Sequence, residues 1–393
     1  MGALGYFVDI FDLLIFPITS IPSLTELGVP AADIRVIVEH ILNWQMIGML
    51  LGGIFWGVLG DKLGRRSVLF GSITLYSLAN LANGFVSDVE SYAYIRFIAG
   101  FGLAGELGAA ITLVSETLPK NVRGYGTTIV ASVGVSGAVF GGIIGNLVHW
   151  RTAYFIGGGL GLLLLVLRVG FVESQIFTTM RESSVSRGNF LALLWPAERL
   201  FRYLRCILIG IPIWYGIGIL VTHSVHLGQE LGISEAIRPA TAVSLCYGGL
   251  TLGDFASGAL SQYLRSRKKA IAVFLGLTAL SILLYCTLRN IPAWTFYGIC
   301  GLLGFSLGYW AVFVTVASEQ FGTNLRATAT TTVPNWVRAS LVPISMTFEG
   351  LHQGGMTLVE SALWLGLALV TIAALALHGL RETHGRDLDF VES

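Results

Sequence analysis

The sequence has little charge. Only 12% of its 393 residues are Asp, Glu, Lys or Arg, whereas 54% are hydrophobic, and the mean hydropathy is +0.74. A soluble globular domain carries about 25% charged residues, so this chain lacks the charge needed to cover a surface that faces water. The composition therefore excludes a soluble enzyme, a nucleic-acid binder and a disordered chain, and it predicts a membrane-embedded protein.

Signals for cofactors and metals are also lacking. The four cysteines form no CxxC pair and lie in apolar stretches, which predicts neither a disulfide framework nor a zinc site. His223 and His226 have no suitably spaced third ligand, so we predict no metal. No Walker A loop, dinucleotide fingerprint, GxSxG or HExxH motif is present. We therefore expect no cofactor and no enzyme activity, and energy must come from an ion gradient or from the substrate's own gradient.

What the chain has is long apolar segments. About 20 apolar residues suffice to span a bilayer as a helix, and twelve such segments are present, some interrupted by proline. They cover approximately residues 2–21, 36–60, 67–87, 92–117, 125–147, 152–172, 203–227, 238–263, 269–288, 293–317, 328–350 and 357–378. The predicted fold class is all-α integral membrane, with twelve transmembrane helices in two pseudo-symmetric six-helix bundles.

One long polar connection divides the chain. We predict an N-terminal bundle over 1–172, a cytoplasmic linker over 173–202, a C-terminal bundle over 203–378 and a cytoplasmic tail over 379–393. If both termini lie inside, 17 of the 24 basic residues fall in inside segments and four in outside loops. The positive-inside rule then predicts cytoplasmic termini.

The two halves share an internal repeat. Six residues between 115 and 128 recur 203 positions later. The pairs are Ser115 and Ser318, Glu116 and Glu319, Asn121 and Asn324, Arg123 and Arg326, Thr127 and Thr330, and Thr128 and Thr331. A repeat in the same orientation implies a pseudo-symmetry axis along the membrane normal, with a cavity between the halves.

The connection after the second segment carries a family motif. Its key positions are Gly57, Asp61, Lys62, Gly64, Arg65 and Arg66. They resemble the GxxxD(R/K)xGR(R/K) signature of the major facilitator superfamily, and the resemblance implies secondary transport by alternating access. It also implies that these residues form an inside gate. In the second half Gln262 stands where the aspartate is expected, which argues against an equivalent latch there.

Two further motifs support the resemblance. Arg96, Gly100 and Gly102 resemble the RxxxGxG element of the fourth helix. Glu116 and Arg123 match the ExxPxxxRG pattern of sugar and organic-anion members, which implies that both join Asp61 at the gate. The fifth helix is close to the antiporter glycine motif but lacks its proline, which lowers the expectation of multidrug export.

Ionisable residues at bilayer depth are costly and are candidate functional sites. Asp9 and Asp12 partly resemble the DGxD motif of aromatic-acid and phosphate proton symporters, and their i, i+3 spacing puts both carboxylates on one helix face. Two roles stay open for Glu106, which are a proton site and structural hydrogen bonding. Asp254 is a binding candidate that could instead belong to the gate.

Arg338 is the one basic candidate at the centre of a predicted helix, with Asn335 and Trp336 beside it. A lone buried arginine either pairs with a carboxylate or binds an anionic substrate. From these residues we expect proton-coupled symport of a small polar metabolite, an organic anion.

Two alternatives stay open: an exporter that works by proton antiport, and a non-transporting sensor on the same scaffold. The expected setting is a monomer in a bacterial inner membrane, whose partners are lipid and a small-molecule substrate but not nucleic acid.

Overall fold

The computed structural model describes residues 2–119, 122–168 and 188–392, and these residues fold into helices without any strand. The first half of the predicted linker, 173–187, lies outside the described residues. Twelve helical spans, α1 to α12, follow the predicted segments. The all-helical prediction is confirmed, and by length and composition nine of the described helices could cross a membrane on their own.

The first six spans form the N-terminal half. They are α1 Gly2–Glu26, α2 Ile34–Leu63, α3 Arg65–Asn83, α4 in two parts (Val89–Leu103 and Glu106–Thr117), α5 in two parts (Arg123–Val135 and Gly137–Leu147) and α6 Trp150–Leu167. Helix α1 continues through two prolines, Pro17 and Pro22, and ends five residues later than predicted.

The second half repeats this arrangement. Its spans are α7 (Ala197–Tyr215, a π-helical turn Gly216–Val221, then Ser224–Glu230), α8 Pro239–Tyr263, α9 Arg267–Thr287, α10 (Ala293–Leu307 and Trp310–Gln320), α11 (Arg326–Ala339 and Leu341–Gln353) and α12 Leu358–His378. Helix α7 begins at Ala197, so Arg199 and Arg202 are helical rather than part of a polar connection.

The helix interruptions occur in the pairs of helices that the internal repeat relates. Helix α4 is broken at Ala104 and Gly105, and α10 at Gly308 and Tyr309. Likewise α5 is interrupted at Ser136, and α11 at Ser340. Breaks at matching depths in the two halves are typical of transporters whose binding sites lie at the repeat interface, and they place backbone and side chains of both halves at the centre of the bundle.

Glycines allow the closest helix contacts. In α2, a Cβ on Gly48 or Gly52 would overlap the carbonyl oxygen of Phe97 or Phe101 on α4. Gly100 of α4 lies in the same way against the backbone of Gln45. Because lipid does not drive apolar helices together, close packing of small residues is a main source of association in a membrane. The RxxxGxG element in α4 therefore has a packing role.

Candidate functional site between the two halves

A buried cluster joins the halves at the centre of the bundle. Tyr6 of α1 accepts a hydrogen bond from Trp310 Nε1 (3.0 Å), at the restart of α10. The same hydroxyl lies 3.5 Å from Arg338 Nη2 on α11. A Cβ on Gly134 would overlap the Tyr6 ring, so α5 also packs closely here. The cluster thus contains residues from both repeats.

Arg338 is the cation of this cluster and is only 2% exposed. Its Nη1 donates to Asn335 Oδ1 at 3.1 Å, and no ion pair joins it to a carboxylate within the described residues. The guanidinium carbon lies 5.5 Å from the Trp310 ring centroid and 6.0 Å from that of Trp214. Aromatic faces stabilise a cation without neutralising it. The positive charge of Arg338 is therefore not compensated by these two rings.

Asn335 orients Arg338 and bridges the halves. Its Nδ2 donates to the carbonyl of Ala104 (3.1 Å), which is exposed by the break in α4, and to the carbonyl of Thr331 (2.8 Å). Gly53 of α2 lies against the same side chain. Of the two predicted neighbours of Arg338, the structure brings Asn335 into the site. Trp336 is 37% exposed and stays outside the cluster.

The two acidic residues of α1 have different surroundings. Asp9 is fully buried, neither carboxylate oxygen has a hydrogen-bond partner in the described chain, and Arg338 is the cation that interacts with it most strongly. The oxygens of Asp12 also have no hydrogen-bond partner in the described chain, but Asp12 lies against Gly157 of α6 and interacts most strongly with Arg96. Although their spacing predicts a shared face, only Asp9 is directed toward the interface between the halves.

Glu106 forms an ion pair inside the N-terminal half. Both its carboxylate oxygens accept from Arg168 of α6, one of them at 3.0 Å, and Arg168 also donates to the carbonyl of Leu69. Gly5 of α1 packs directly on this pair, where a Cβ would overlap it. The arrangement favours the structural alternative for Glu106.

Asp254 lies at the break of α10. Its Oδ1 accepts from the backbone N–H of Ala311 at 2.9 Å, so it caps the second part of that helix, while Oδ2 has no partner in the described chain. The capped helix begins with Trp310, which touches Tyr6. Asp254 therefore lies next to the central cluster, and its role in binding or in the gate stays a prediction.

A latch closes one end of the bundle, which we call the gate end and which contains the α2–α3, α4–α5, α8–α9 and α10–α11 connections. Asp61 accepts from the backbone N–H of Ala327 (3.0 Å) and from the N–H and Oγ1 of Thr328 (2.8 and 2.7 Å). A residue of the first half thus caps α11 of the second. A Cβ on Gly57 would meet the Thr328 backbone, and Gly64 makes the following turn with φ +101°.

Glu116 is the second element of the latch. Its Oε1 accepts from Arg65 Nη2 at 2.8 Å and from Arg326 Nη1 at 2.9 Å, and all three side chains are fully or nearly fully buried. Arg65 also donates to the carbonyl of Thr323 across the interface. Lys62 and Arg66, predicted as gate residues, are exposed instead, and Arg66 lies over the ring of Phe70.

The second half repeats only part of this latch. Arg267 pairs with Glu319 at 3.2 Å, as Arg65 pairs with Glu116. Gln262, the counterpart of Asp61, lies against Gly124 of α5, but its Nε2 has no hydrogen-bond partner in the described chain. The carboxylate cap on a helix of the other half is therefore absent on this side, within the residues described.

The C-terminal tail crosses the gate end. The repeat-related arginines each donate to one of its carbonyls: Arg123 Nη1 to Arg386 O (3.3 Å) and Arg326 Nη2 to Leu388 O (2.5 Å). Leu388 is 1% exposed. A single short segment therefore receives hydrogen bonds from both halves.

The tail is also fixed at its two ends. Glu392 pairs with Arg202 at 2.8 Å and with Arg199 at 3.3 Å. Glu382 accepts from Ser266 Oγ and from the N–H of Arg267 at the start of α9. Partial burial opposes ionisation of Glu382, yet these hydrogen bonds outweigh it and lower the pKa of the carboxyl group. Glu382 therefore remains charged near neutral pH.

The family model of the Major Facilitator Superfamily matches residues 2–335. The chain belongs to the major facilitator superfamily. The superfamily and its transporter relatives support a membrane transporter rather than an enzyme. The sugar symporter XylE, in complex with 6-bromo-6-deoxy-D-glucose, has the same fold, with a TM-score of 0.79 at 15% identity over 99% of this chain and 96% of XylE.

Curated relatives within the superfamily are named as transporters of small molecules. The niacin transporter NiaP of Acinetobacter baylyi is 27% identical over 89% of this chain and 87% of NiaP. A putative metabolite transport protein of Haemophilus influenzae is 30% identical over 86% of this chain and 84% of its own length. The 3-(3-hydroxy-phenyl)propionate transporter of Escherichia coli is 25% identical over 73% of this chain and 71% of its own length.

Glu116→Gln is expected to open the gate end. The change leaves Arg65 and Arg326 without the carboxylate that joins the halves, and breaking a buried ion pair costs about 3–5 kcal/mol. Spin labels on the exposed residues Leu63 and Tyr263, which end α2 and α8, should report a longer distance. Glu319→Gln is the matched control, because its ion pair lies within one half; an equal lengthening in both variants would contradict the assignment.

Truncation after Gly385 is expected to weaken the same closure, because it removes both tail carbonyls but keeps Glu382. Between the two spin labels, the population with the longer distance should rise at least several-fold. Glu392→Gln removes only the ion pairs with Arg199 and Arg202 in the second half, so it should leave that distance unchanged. A truncated chain with the wild-type distance distribution would show that the tail does not restrain the gate.

Proposed function

We propose that this chain is a proton-coupled symporter of a small organic anion that carries an aromatic ring. The observation that carries the proposal is Arg338, a buried guanidinium with no carboxylate partner in the described residues, positioned between two halves of a transporter. Burying a charge without a counter-ion is costly, and an anionic substrate that binds Arg338 would offset that cost. A carboxylate can accept two parallel hydrogen bonds from a guanidinium.

The surroundings of Arg338 favour an aromatic substrate. Trp214, Trp310, Tyr6 and Tyr247 are all buried and all interact with Arg338, and stacking on such rings adds to apolar burial. The named relatives agree in chemistry. Niacin and 3-(3-hydroxy-phenyl)propionate, the substrates in two of their names, are both aromatic carboxylic acids. We therefore extend that substrate class to this chain.

Asp9 is the proposed proton site. It lies on α1 one turn from Tyr6 and competes with an arriving carboxylate for Arg338. When Asp9 takes up a proton, its negative charge is lost and Arg338 can bind the substrate. When Asp9 ionises again, it displaces the substrate carboxylate. This competition couples the two binding events, because each ligand changes the affinity for the other by the same factor.

The gate end is the proposed cytoplasmic end. Most basic residues of the sequence lie in the connections at that end or in the tail, as the positive-inside rule requires. In this orientation the latch of Asp61 and Glu116 closes the cytoplasmic side. Substrate would then enter from the outside and leave when the latch opens.

Arg338→Gln is expected to weaken binding of nicotinate by about 10- to 100-fold, since hydrogen bonds to charged groups contribute about 1.5–3 kcal/mol. Isothermal titration of the purified protein with nicotinate and with the neutral nicotinamide measures this loss, and nicotinamide should bind weakly to both forms. Arg289→Gln, at an exposed position, is the control. Unchanged nicotinate affinity in Arg338→Gln would remove Arg338 from the site.

Asp9→Asn is expected to abolish accumulation driven by a pH gradient in proteoliposomes but to preserve exchange of labelled for unlabelled substrate. The amide cannot ionise, so it cannot displace the bound anion. Asp12→Asn is the matched control, because Asp12 faces α6 and Arg96 rather than Arg338. Accumulation by Asp9→Asn at the wild-type level would contradict proton transfer at this residue.

A further inference from the structure

A lateral groove lies between α9 and α12, on the surface of the second half and away from the central cluster. Its volume is about 470 Å³. Apolar side chains form most of the lining, and Lys268, Lys269 and His378 form one end. That end lies at the gate end of the bundle, because α9 begins and α12 ends there.

The groove follows one face of α9. Its lining includes Lys268, Ala272, Gly276 and Ala279, at helical spacing over 11 residues. At 1.5 Å per residue this is about 16 Å, close to half of the roughly 30 Å hydrocarbon core. A Cβ on Gly276 would meet nothing within 4 Å, so this face is open to an occupant. The length matches an acyl chain within one leaflet.

The polar end of the groove carries positive charge. Lys269 is exposed and makes no hydrogen bond or ion pair through its side chain within the described residues. Lys268 Nζ donates to the carbonyls of His378 (3.0 Å) and Leu380 (2.6 Å), which fixes its ammonium group at the mouth of the groove. The nearby acid, Glu382, already accepts hydrogen bonds from Ser266 and from backbone amides.

We propose that this groove binds an anionic phospholipid, with one acyl chain along α9 and the phosphate against Lys269 and Lys268. Basic pockets between transmembrane helices bind anionic head groups in this way. The charge complementarity selects the lipid class, because a zwitterionic lipid carries a cation that the lysines repel. The inference does not depend on the proposed substrate, since no groove residue belongs to the central cluster. It places a lipid at the gate end of the second half.

Native mass spectrometry of the purified protein tests this, with phosphatidylglycerol and phosphatidylcholine added at equal concentration. Wild type should retain phosphatidylglycerol in preference. Lys269→Gln should lower that preference about fivefold, the effect of roughly one basic residue near an anionic membrane surface. The charge control is Arg289→Gln, which is exposed at the opposite end of the bundle and should leave the preference unchanged.

A second pair of variants tests the groove itself. Gly276→Leu should fill it and remove the bound lipid. Gly298→Leu is the matched control, because a Cβ on Gly298 of α10 also meets nothing within 4 Å, yet Gly298 does not line the groove. The proposal is overturned if the wild-type protein retains phosphatidylcholine to the same extent as phosphatidylglycerol. It is overturned too if Gly276→Leu retains as much lipid as Gly298→Leu. It is also overturned if wild type appears as a dimer that Gly276→Leu dissociates, since a second copy would then occupy the groove.

Discussion

The free-energy cost of burying a guanidinium away from water determines how the buried arginines of this protein are paired. Arg168 offsets that cost with the carboxylate of Glu106, and Arg65 and Arg326 share Glu116. Arg96 forms no ion pair with a carboxylate among the described residues, yet its three nitrogens donate to Gln45, Asn80 and the carbonyl of Asp12. Arg338 makes two hydrogen bonds, of 3.1 and 3.5 Å, neither of them to a carboxylate, and its Nε has none in the described chain.

This difference separates positions that hold the structure together from the position proposed to bind a ligand. In the first group the charge is matched within the protein, so the arginine fixes one helix against another. At Arg338 the matching is incomplete and the neighbouring groups are aromatic rings, which stabilise a cation while leaving its hydrogen-bonding edge available. Asp9 has the complementary property, because its carboxylate also has no hydrogen-bond partner in the described residues.

Much of the fold could be predicted from the sequence, because the apolar segments and the internal repeat are local patterns. The GxxxD(R/K)xGR(R/K) motif likewise predicts Asp61 and Arg65 as gate residues, and the ExxPxxxRG pattern predicts Glu116. Trp214 and Trp310 were missed, since nothing in a sequence distinguishes an indole that faces a buried cation from one that faces lipid. Trp336 shows the same limit in reverse: it is adjacent to Asn335 in sequence but lies outside the cluster, because a helix turns successive residues by about 100°.

The ion-pair partners of buried charged residues could not be predicted from the sequence either. Arg326 was visible as the repeat of Arg123, but its pairing with Glu116 depends on how the two halves meet. Arg168 lies at the C-terminal end of α6, a position from which a long side chain can often reach water. It is instead buried against Glu106, and this ion pair depends on how α4 and α6 pack together.

The unequal seams at the gate end have a mechanical consequence. The α2–α11 seam is held by the Asp61 cap and by the Glu116 pairs, whereas the α5–α8 seam has Gln262 in place of the cap. Force that separates the halves would therefore meet its greatest resistance along one edge. If the halves separate at this end, we expect the α5–α8 edge to part first and the α2–α11 edge to act as the hinge.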